Sequence, residues 1–167
     1  MKILETDRLY LRMITTEDAP FMLELFNSPG WLKYIGDRKV QTVDDAVTYI
    51  RKYYLTSYKE NGFGSYAVVL KDSGEIIGSC GIYKRPNLDN PDIGFAFLPD
   101  YLGKGYGYEA AKAVLDYAGA ELGMTTILGF TVEYNQPSIR LLEKLGLSQK
   151  GTHTFDDDPE QLLLFST

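Results

Sequence analysis

The chain has 167 residues, with 17 Lys and Arg against 23 Asp and Glu, and its formal net charge is −6. A chain of this length is expected to fold as one domain over residues 1–167, with a core that needs no metal or disulfide. Its acidity disfavours direct nucleic-acid binding, because phosphates attract basic surfaces, and suits a cationic partner instead. The chain has one cysteine and one histidine, which excludes an internal disulfide, a cysteine-rich zinc site and a multi-histidine site. We therefore expect no metal.

The N-terminal segment does not resemble a targeting sequence. MKILETDRLYLR becomes charged too early to hold the apolar core of a signal peptide. No stretch approaches the roughly 18 apolar residues that a membrane-spanning helix needs. We expect a cytoplasmic protein with no membrane partner.

The first half of the chain is predicted to contain a strand, two helices and a hairpin. Residues 8–14 alternate between apolar and polar side chains, which is the period of a strand. Apolar residues at helical spacing follow in segments 15–28 and 43–60, and the SPGW sequence between them predicts a break. Segment 65–84 predicts a hairpin whose turn is Asp72-Ser73-Gly74.

The second half is predicted to alternate between strands and helices before a closing hairpin. Segment 92–98 predicts a strand, 109–123 an alanine-rich helix, and 125–133 a buried strand. Asn135 is placed to cap a helix that Gly146 ends. The order of elements predicts a mixed α/β domain that is mostly antiparallel early and has one crossover later.

Three alternating glycines precede the alanine-rich helix. Gly103, Gly105 and Gly107 allow successive backbone N–H groups to point into one concavity, which is a common anion site. The start of the helix adds the positive end of its dipole, and Lys104 adds a charge at the rim. A plain turn would need only one or two glycines. The pattern therefore predicts a phosphate or pyrophosphate site.

The motif itself narrows the choice of phosphate ligand. No GxxxxGK[ST] sequence is present, so nucleotide hydrolysis loses its main support. Residues 105–110 satisfy the G-x-G-x-x-G/A fingerprint of dinucleotide sites, and Glu133 is a candidate ribose ligand. However, Pro99 to Lys104 separate the motif from its strand, and too few residues follow it for a dinucleotide domain. A dinucleotide enzyme stays a disfavoured alternative.

Three blocks of the chain resemble the GNAT acetyltransferases. Residues 102–107, LGKGYG, are similar to the family motif [QR]-x-x-G-x-[GA], with Leu102 at the usual Arg or Gln position. Residues 135–147, NQPSIRLLEKLGL, are similar to N-x-x-[SA]-x-x-L-x-E-K-x-G-F. Residues 4–19 resemble the opening of the ribosomal-protein-alanine N-acetyltransferase-like (RimJ/RimL-type) branch, with Met13 where that branch often has Pro. The resemblance covers essentially the whole chain, and the three blocks stand in the expected order.

The resemblance implies a GNAT-like fold of the mixed α/β (α+β) class. Its sheet would have six to seven mostly antiparallel strands, flanked by about four helices. The strands within 92–98 and 126–133 would run parallel at the centre and splay apart, and the thioester arm of acetyl-CoA would lie in that opening.

The resemblance also implies which residues bind acetyl-CoA, the only cofactor expected. The pyrophosphate would rest on the glycine loop, Asn135 would hydrogen-bond the pantetheine arm, and Ser138 would lie near the sulfur. The full set implied to bind acetyl-CoA is Phe97, Leu98, Gly103, Lys104, Gly105, Tyr106, Gly107, Tyr108, Asn135 and Ser138.

Acetyl transfer from a thioester to an amine needs a neutral amine, donors for the developing oxyanion and a proton for the thiolate. The N–H near Phe97 or Leu98 is the candidate oxyanion donor. Asp92 is the candidate base, and the alternative is an ordinary solvated carboxylate at a strand edge. Leu142 stands where many relatives carry a catalytic Tyr. This leaves Ser138, or a water held by Asn135, as the proton source, unless Ser138 serves only the helix end.

Four other features have weaker functional interpretations. His153 is predicted to be structural or solvated rather than a base, and Cys80 a small core residue. The acidic turn at 156–160 is predicted to be a solvated loop, with a role at the rim of the substrate mouth as the alternative. Trp31 is the candidate wall residue of the acceptor site.

The resemblance implies an acetyl-CoA-dependent N-acetyltransferase that acts on a primary amine, either a protein N-terminus or a small amine. A CoA-binding module without catalysis is the first alternative, and the dinucleotide enzyme is the second. A homodimer is an open possibility.

Overall fold

Eight strands form one continuous sheet in the computed structural model, which describes residues 1–167. The strand order is β1-β2-β3-β4-β5-β6-β8-β7, and every neighbouring pair is antiparallel except β5 and β6. The strands are β1 Lys2–Glu5, β2 Leu9–Met13, β3 Ser65–Leu70, β4 Ile76–Tyr83, β5 Asp92–Phe97, β6 Leu128–Thr131, β7 Ser148–His153 and β8 Leu162–Ser166. The predicted mixed α/β class and its single parallel pair are confirmed.

The sheet has one strand more than the six to seven expected. The additional strand is β1, whose four residues are too few to show a clear alternation of apolar and polar side chains. It lies at the edge of the sheet and pairs with β2 through a register shift.

Six α-helical segments flank the sheet. They are α1 Ala19–Phe26, α2 Pro29–Tyr34, α3 Val43–Tyr49, α4 Thr56–Asn61, α5 Tyr106–Glu121 and α6 Gln136–Lys144. A π-helical turn over Ile50–Leu55 joins α3 to α4, so these two form the one long helix predicted over 43–60. The SPGW sequence predicts a break, but α2 begins at Pro29, because proline is tolerated in the first helical turn; the helices therefore number one more than the four expected. None of the helices combines the length and apolarity needed to cross a bilayer.

The two faces of the sheet are covered by different helices. Val68 on β3 faces the layer that contains α5, whereas its neighbours Ala67 and Val69 face the layer of α1, α3 and the π-helical turn. This alternation follows from the two-residue period of a strand. Cys80 is fully buried in the α5 layer, and burial raises the pKa of its thiol, which confirms that it is a core residue.

The helix after the glycine loop begins three residues earlier than predicted. Gly105 has a φ of +83° and is the N-terminal cap residue of α5, so the helix starts at Tyr106. The two intermediate residues before Glu109, Gly107 and Tyr108, already belong to its first turn. The last of the three glycines, Gly107, therefore lies within the helix, and the two before it lie just ahead of its first residue.

Candidate active site

A gap opens between β5 and β6 at the centre of the sheet. The two strands pair only at Asp92 with Leu128 and at Ile93 with Gly129. Beyond these pairs, β5 continues to Phe97 beside β4 alone. The splayed parallel pair that the resemblance implied is therefore present.

The backbone of β5 offers free hydrogen-bonding groups to this gap. The N–H of Leu98 donates to the carbonyl of Ile77 on β4 at 2.9 Å. Because N–H groups alternate between the two sides of a strand, those of Phe95 and Phe97 point toward the gap. Leu98 is therefore the wrong choice of oxyanion donor, since its N–H is already bonded within the sheet, while the position of Phe97 suits the role.

The glycine loop, residues 103–108, is a cradle of unpaired backbone donors. Gly103 and Gly105 have φ values of +73° and +83°, a left-handed conformation that glycine adopts without strain. The first N–H after the loop that is bonded within the protein belongs to Glu109, which donates to the carbonyl of Gly105 at 3.1 Å. The six N–H groups from 103 to 108 donate to no protein atom. Such a run of donors at a helix start fits a phosphate group.

The loop lies against both the gap and the last helix. A Cβ atom built on Gly107 would lie 3.3 Å from the side chain of Leu141 on α6 and 3.7 Å from the ring of Phe97 on β5. Lys104 is exposed at the rim, with its ammonium 5.8 Å from the ring of Tyr101. The structure thus brings the predicted loop residues next to Phe97 and to α6.

Asn135 and Ser138 lie together in the first turn of α6. The side-chain oxygen of Asn135 accepts a hydrogen bond from the N–H of Ser138 at 3.3 Å, which caps the helix as predicted. The hydroxyl of Ser138 makes no hydrogen bond within the protein and is half-buried. Leu142 is buried against Gly129, so its side chain belongs to the core.

Three side chains that the sequence interpretation missed hold the start of α5. Glu109 accepts hydrogen bonds from the hydroxyl of Thr6 at 2.5 Å, from the N–H of Arg8 at 3.0 Å and from Nε of Arg8 at 2.7 Å. Burial raises the pKa of Glu109, but the bonds from Thr6 and Arg8 outweigh it, and the net shift is downward. Thr6 and Arg8 belong to block 4–19, which carries part of the family resemblance. The sequence alone did not show that these residues contact Glu109.

Asp92 is buried at the start of β5, only 2 % exposed. Its two carboxylate oxygens accept hydrogen bonds from Nε and Nη2 of Arg85 at 2.9 and 3.0 Å. Burial raises the pKa of Asp92, and the pair with Arg85 only partly opposes this shift. The alternative of an ordinary solvated carboxylate is wrong, because the strand edge is covered here.

Residues 85–88 and 153–157 line a cavity of about 280 Å³ beside this ion pair, which we call the aromatic mouth after the rings of His153 and Phe155. Arg85 lines the cavity and Asp92 does not. The Arg85 guanidinium lies 4.8 Å from the ring centre of Phe155 and 5.5 Å from that of Tyr83. The ring of His153 packs 4.6 Å from that of Phe155, so this histidine has a structural setting. No pattern in the sequence pointed to Arg85.

The acidic turn at 156–160 is tied to two other parts of the fold. Asn87 donates to Asp156 at 3.3 Å, and the hydroxyl of Tyr134 donates to Glu160 at 2.9 Å. Tyr134 also packs on Tyr34 of α2, with ring centres 5.9 Å apart. Four of its five residues are exposed, so the turn is a solvated loop as predicted, and its first two residues, Asp156 and Asp157, also line the mouth.

Trp31 lies in the core beneath α2 and is 6 % exposed. Its ring packs edge-on against Phe26, with centres 4.9 Å apart, and its indole N–H has no hydrogen-bond partner. The side chain is thus packed inside the α1–α4 layer rather than exposed on a surface. Its role as a wall residue stays a prediction.

Comparison with known proteins agrees with this geometry. A family model described as "Acetyltransferase (GNAT) domain" matches residues 8–148. The uncharacterized N-acetyltransferase YnaD of Bacillus subtilis is 31 % identical over 146 residues, which is 87 % of this chain and 82 % of YnaD. The family match covers both the glycine loop and the Asp92 strand, and an acetyltransferase family over this range argues against the dinucleotide alternative.

Solved structures have the same fold. An acetyltransferase from Agrobacterium tumefaciens superposes with a TM-score of 0.83 at 25 % identity, covering 100 % of this chain and 94 % of that one. RimL, a ribosomal L7/L12 α-N-protein acetyltransferase solved with coenzyme A, gives a TM-score of 0.82 at 14 % identity, covering 100 % and 97 % of the two chains. At that identity the likeness to RimL concerns the fold alone.

Proposed function

The chain belongs to the GNAT acetyltransferase family, and on that premise we propose that it moves the acetyl group of acetyl-CoA to a primary amine that enters through the aromatic mouth. The observation that carries the proposal is the glycine loop, whose six unpaired N–H groups lie beside the gap between β5 and β6. The loop supplies a phosphate site, and the gap supplies backbone groups for the amides of an extended arm.

The residues of the donor side fit CoA. The diphosphate is bound by the N–H groups of the glycine loop, with Lys104 adding charge at the rim. The pantetheine arm pairs with the backbone of Phe95 and Phe97 and with the free amide of Asn135. When bound, acetyl-CoA supplies a thioester that an amine can attack without a covalent enzyme intermediate.

Asp92 receives the proton of the incoming amine in this proposal. Asp92 and Phe97 lie at opposite ends of β5, about 16 Å apart at roughly 3.3 Å per residue, so the proton reaches Asp92 through a chain of several bound waters. Each Asp92 oxygen accepts one hydrogen bond from Arg85 and keeps a further lone pair for the last water of that chain. A raised pKa makes the carboxylate a stronger base than a solvated aspartate. The developing oxyanion is assigned to the N–H of Phe97.

Ser138 is the proposed proton source for the leaving thiolate. Its hydroxyl makes no hydrogen bond within the protein, whereas Leu142 is buried and its side chain has no proton that it could donate. A water held by the amide of Asn135 serves the same purpose if the hydroxyl is removed. Loss of Ser138 alone is therefore expected to slow the reaction without stopping it.

The acceptor is proposed to be cationic before it reacts. Asp156, Asp157 and Glu160 lie on the rim beside the mouth, while the one cation inside it, Arg85, is neutralised by Asp92. Such a rim attracts a protonated amine. A protein N-terminus of the ribosomal kind and a small polyamine both satisfy this chemistry.

The test is binding and turnover in sequence. Calorimetry with CoA and acetyl-CoA should give a dissociation constant at micromolar level. Release of the CoA thiol is then followed against peptides with ribosomal-protein N-termini, polyamines and amino sugars, with mass spectrometry of each product to locate the acetyl group.

Three outcomes are distinguishable. Binding with acetylation of an amine supports the proposal, and the best acceptor fixes the substrate class. Binding without turnover on any amine supports the CoA-binding module instead. Absence of CoA binding up to millimolar concentration contradicts the assignment of the glycine loop.

A further inference from the structure

The start of α5 carries a negative charge where the proposed ligand is also negative. Glu109 lies in the first turns of α5, four residues after the cap residue Gly105. A carboxylate is favourable near a free helix N-terminus, but beside a bound diphosphate it repels the ligand. The chain therefore needs a way to neutralise Glu109 at this position.

Arg8 is the cation that pairs with Glu109. Its Nε lies 2.7 Å from Oε1, its backbone N–H bonds to the other oxygen, and the hydroxyl of Thr6 donates to that same oxygen. The next cation along α5, Lys112, is already bonded to Asp116 at 2.7 Å. Arg8 is thus the single basic side chain in contact with Glu109.

Arg8 also contacts three successive residues of the glycine loop. Its Nη1 donates to the carbonyl of Lys104 at 3.1 Å, and its guanidinium lies 4.3 Å from the ring centre of Tyr106. Its Nη2 lies 3.3 Å from the place where a Cβ on Gly105 would stand. A planar guanidinium with several fixed donors can hold all these contacts at once.

We propose that Arg8 is a positioning residue for the CoA diphosphate: it fixes the glycine loop through the Lys104 carbonyl and cancels the charge of Glu109. This inference rests on the proposed function, because it concerns how the same loop accepts CoA. It adds a role for the N-terminal segment, 101 residues away from Glu109 in sequence.

The experiment is a double-mutant cycle in CoA affinity. Calorimetry gives the Kd of CoA for the wild type and for Arg8→Gln, Glu109→Gln and the double variant, while urea unfolding without ligand reports stability. Arg8→Gln should raise Kd about tenfold, because it loses the loop contact and exposes the charge of Glu109. Glu109→Gln should lower Kd by about threefold, since Arg8 then keeps an uncompensated charge.

The double variant should return to within about threefold of the wild type, because the charge of Glu109 is gone and the remaining loss reports the missing contact with the Lys104 carbonyl. Arg8→Lys should fall between the wild type and Arg8→Gln, because an ammonium keeps the charge but not the fork of donors. Lys112→Gln is the matched control: it removes a cation farther along the same helix, and Kd should change less than twofold.

The signs of these changes decide the matter. A brace that is only structural would make Glu109→Gln weaken CoA binding along with Arg8→Gln, and that result overturns the proposal. An Arg8→Gln variant with wild-type affinity overturns it as well. If the wild type itself does not bind CoA, the proposed function is refuted instead, so the two failures are separable.

Dephospho-CoA, which keeps the diphosphate but lacks the 3′-phosphate, identifies the phosphate concerned. If Arg8 acts on the diphosphate, Arg8→Gln weakens dephospho-CoA and CoA by the same factor. If the penalty disappears with dephospho-CoA, Arg8 acts on the 3′-phosphate and the assignment to the diphosphate is wrong.

Discussion

The glycine loop and the aromatic mouth use opposite means to build a binding site. The loop offers six backbone N–H groups held open by left-handed glycines, and its one charged side chain lies at the rim. The mouth is made of side chains, and its Arg85, which stands near aromatic rings, pairs with the buried Asp92. A site made of backbone groups keeps its ligand when side chains around it are substituted. A site made of side chains changes its ligand preference when those side chains are substituted. We therefore expect the donor to be shared by relatives and the acceptor to vary.

The largest effect is expected from Gly105→Val, which tests whether the backbone of the glycine loop binds CoA. A β-branched residue at a φ of +83° is strained, and its side chain would meet Arg8 and occupy the cradle. We expect the Kd of CoA to rise by more than about 100-fold in calorimetry.

Gly74→Val is the matched control for this change. Gly74 has a φ of +76° in the β3–β4 turn, with open space around it, so the strain is similar but far from the loop. It should lower stability and leave CoA affinity unchanged. Equal CoA binding by the two variants would mean that the loop has been misplaced.

Asp92→Asn tests the mouth. If Asp92 receives the amine's proton, turnover should fall on the order of 100-fold below the pKa of the amine, while CoA affinity stays within about twofold. Unfolding should become easier by about 2 kcal/mol, less than for a fully buried pair because the Arg85 side chain is 39 % exposed. A pH–rate profile unchanged in shape and height would remove Asp92 from the mechanism.

Asp18→Asn is the control for the loss of stability. Asp18 makes the same two-pronged pair with Arg12, with both distances 2.8 Å, but lies at the start of α1 and outside the mouth. It should lower stability by at least as much, because Asp18 also accepts a hydrogen bond from the N–H of Thr15, and turnover at a temperature well below unfolding should equal that of the wild type.

The two aspartates should also respond differently to acid. Burial tends to raise the pKa of both carboxyl groups. At Asp18 the hydrogen bonds from Arg12 and Thr15 outweigh burial, so its pKa is lowered. At Asp92 burial outweighs the bonds from Arg85, so its pKa is raised. The Asp18 contribution to stability is therefore present above pH 3.8 and is lost below it. Ionisation of Asp92 instead costs stability as pH rises through its folded pKa.

Urea unfolding between pH 3 and 6 checks these signs. Asp18→Asn should flatten the loss of stability on the acid side, and Asp92→Asn should remove an opposing slope. Identical pH dependence in the two variants would show that burial does not separate them.

The smallest effect is expected at the rim. Tyr134→Phe removes the hydrogen bond to Glu160 and should raise the KM of the acceptor by about threefold, with the Kd of CoA unchanged. Tyr101→Phe is the control, because it removes a similar exposed bond to Glu75 outside the mouth. A rise in KM for both variants would mean that the rim does not select the acceptor.

The sequence predicted the glycine loop better than the side-chain contacts of the mouth. The glycine loop and the Asn135 cap were predicted, because turns and helix starts restrict residue type locally. The splayed pair was implied by the resemblance to the GNAT family alone. The Arg85 pair was not predicted, since its two members are seven residues apart in segments with no repeating pattern. The link between Arg8 and Glu109 spans 101 residues and depends on tertiary packing. The interior position of Trp31 likewise follows from how α2 folds under its neighbours.

The strand order has a consequence for synthesis on the ribosome. β8 follows β7 in the chain but lies between β6 and β7, and it pairs with both. Until residues 162–166 have emerged, the outer edge of β6 is therefore open and β7 has no place in the sheet. An open edge beside apolar residues is prone to pair with other chains. A nascent chain stalled before residue 162 should thus need a chaperone that the completed and released chain does not.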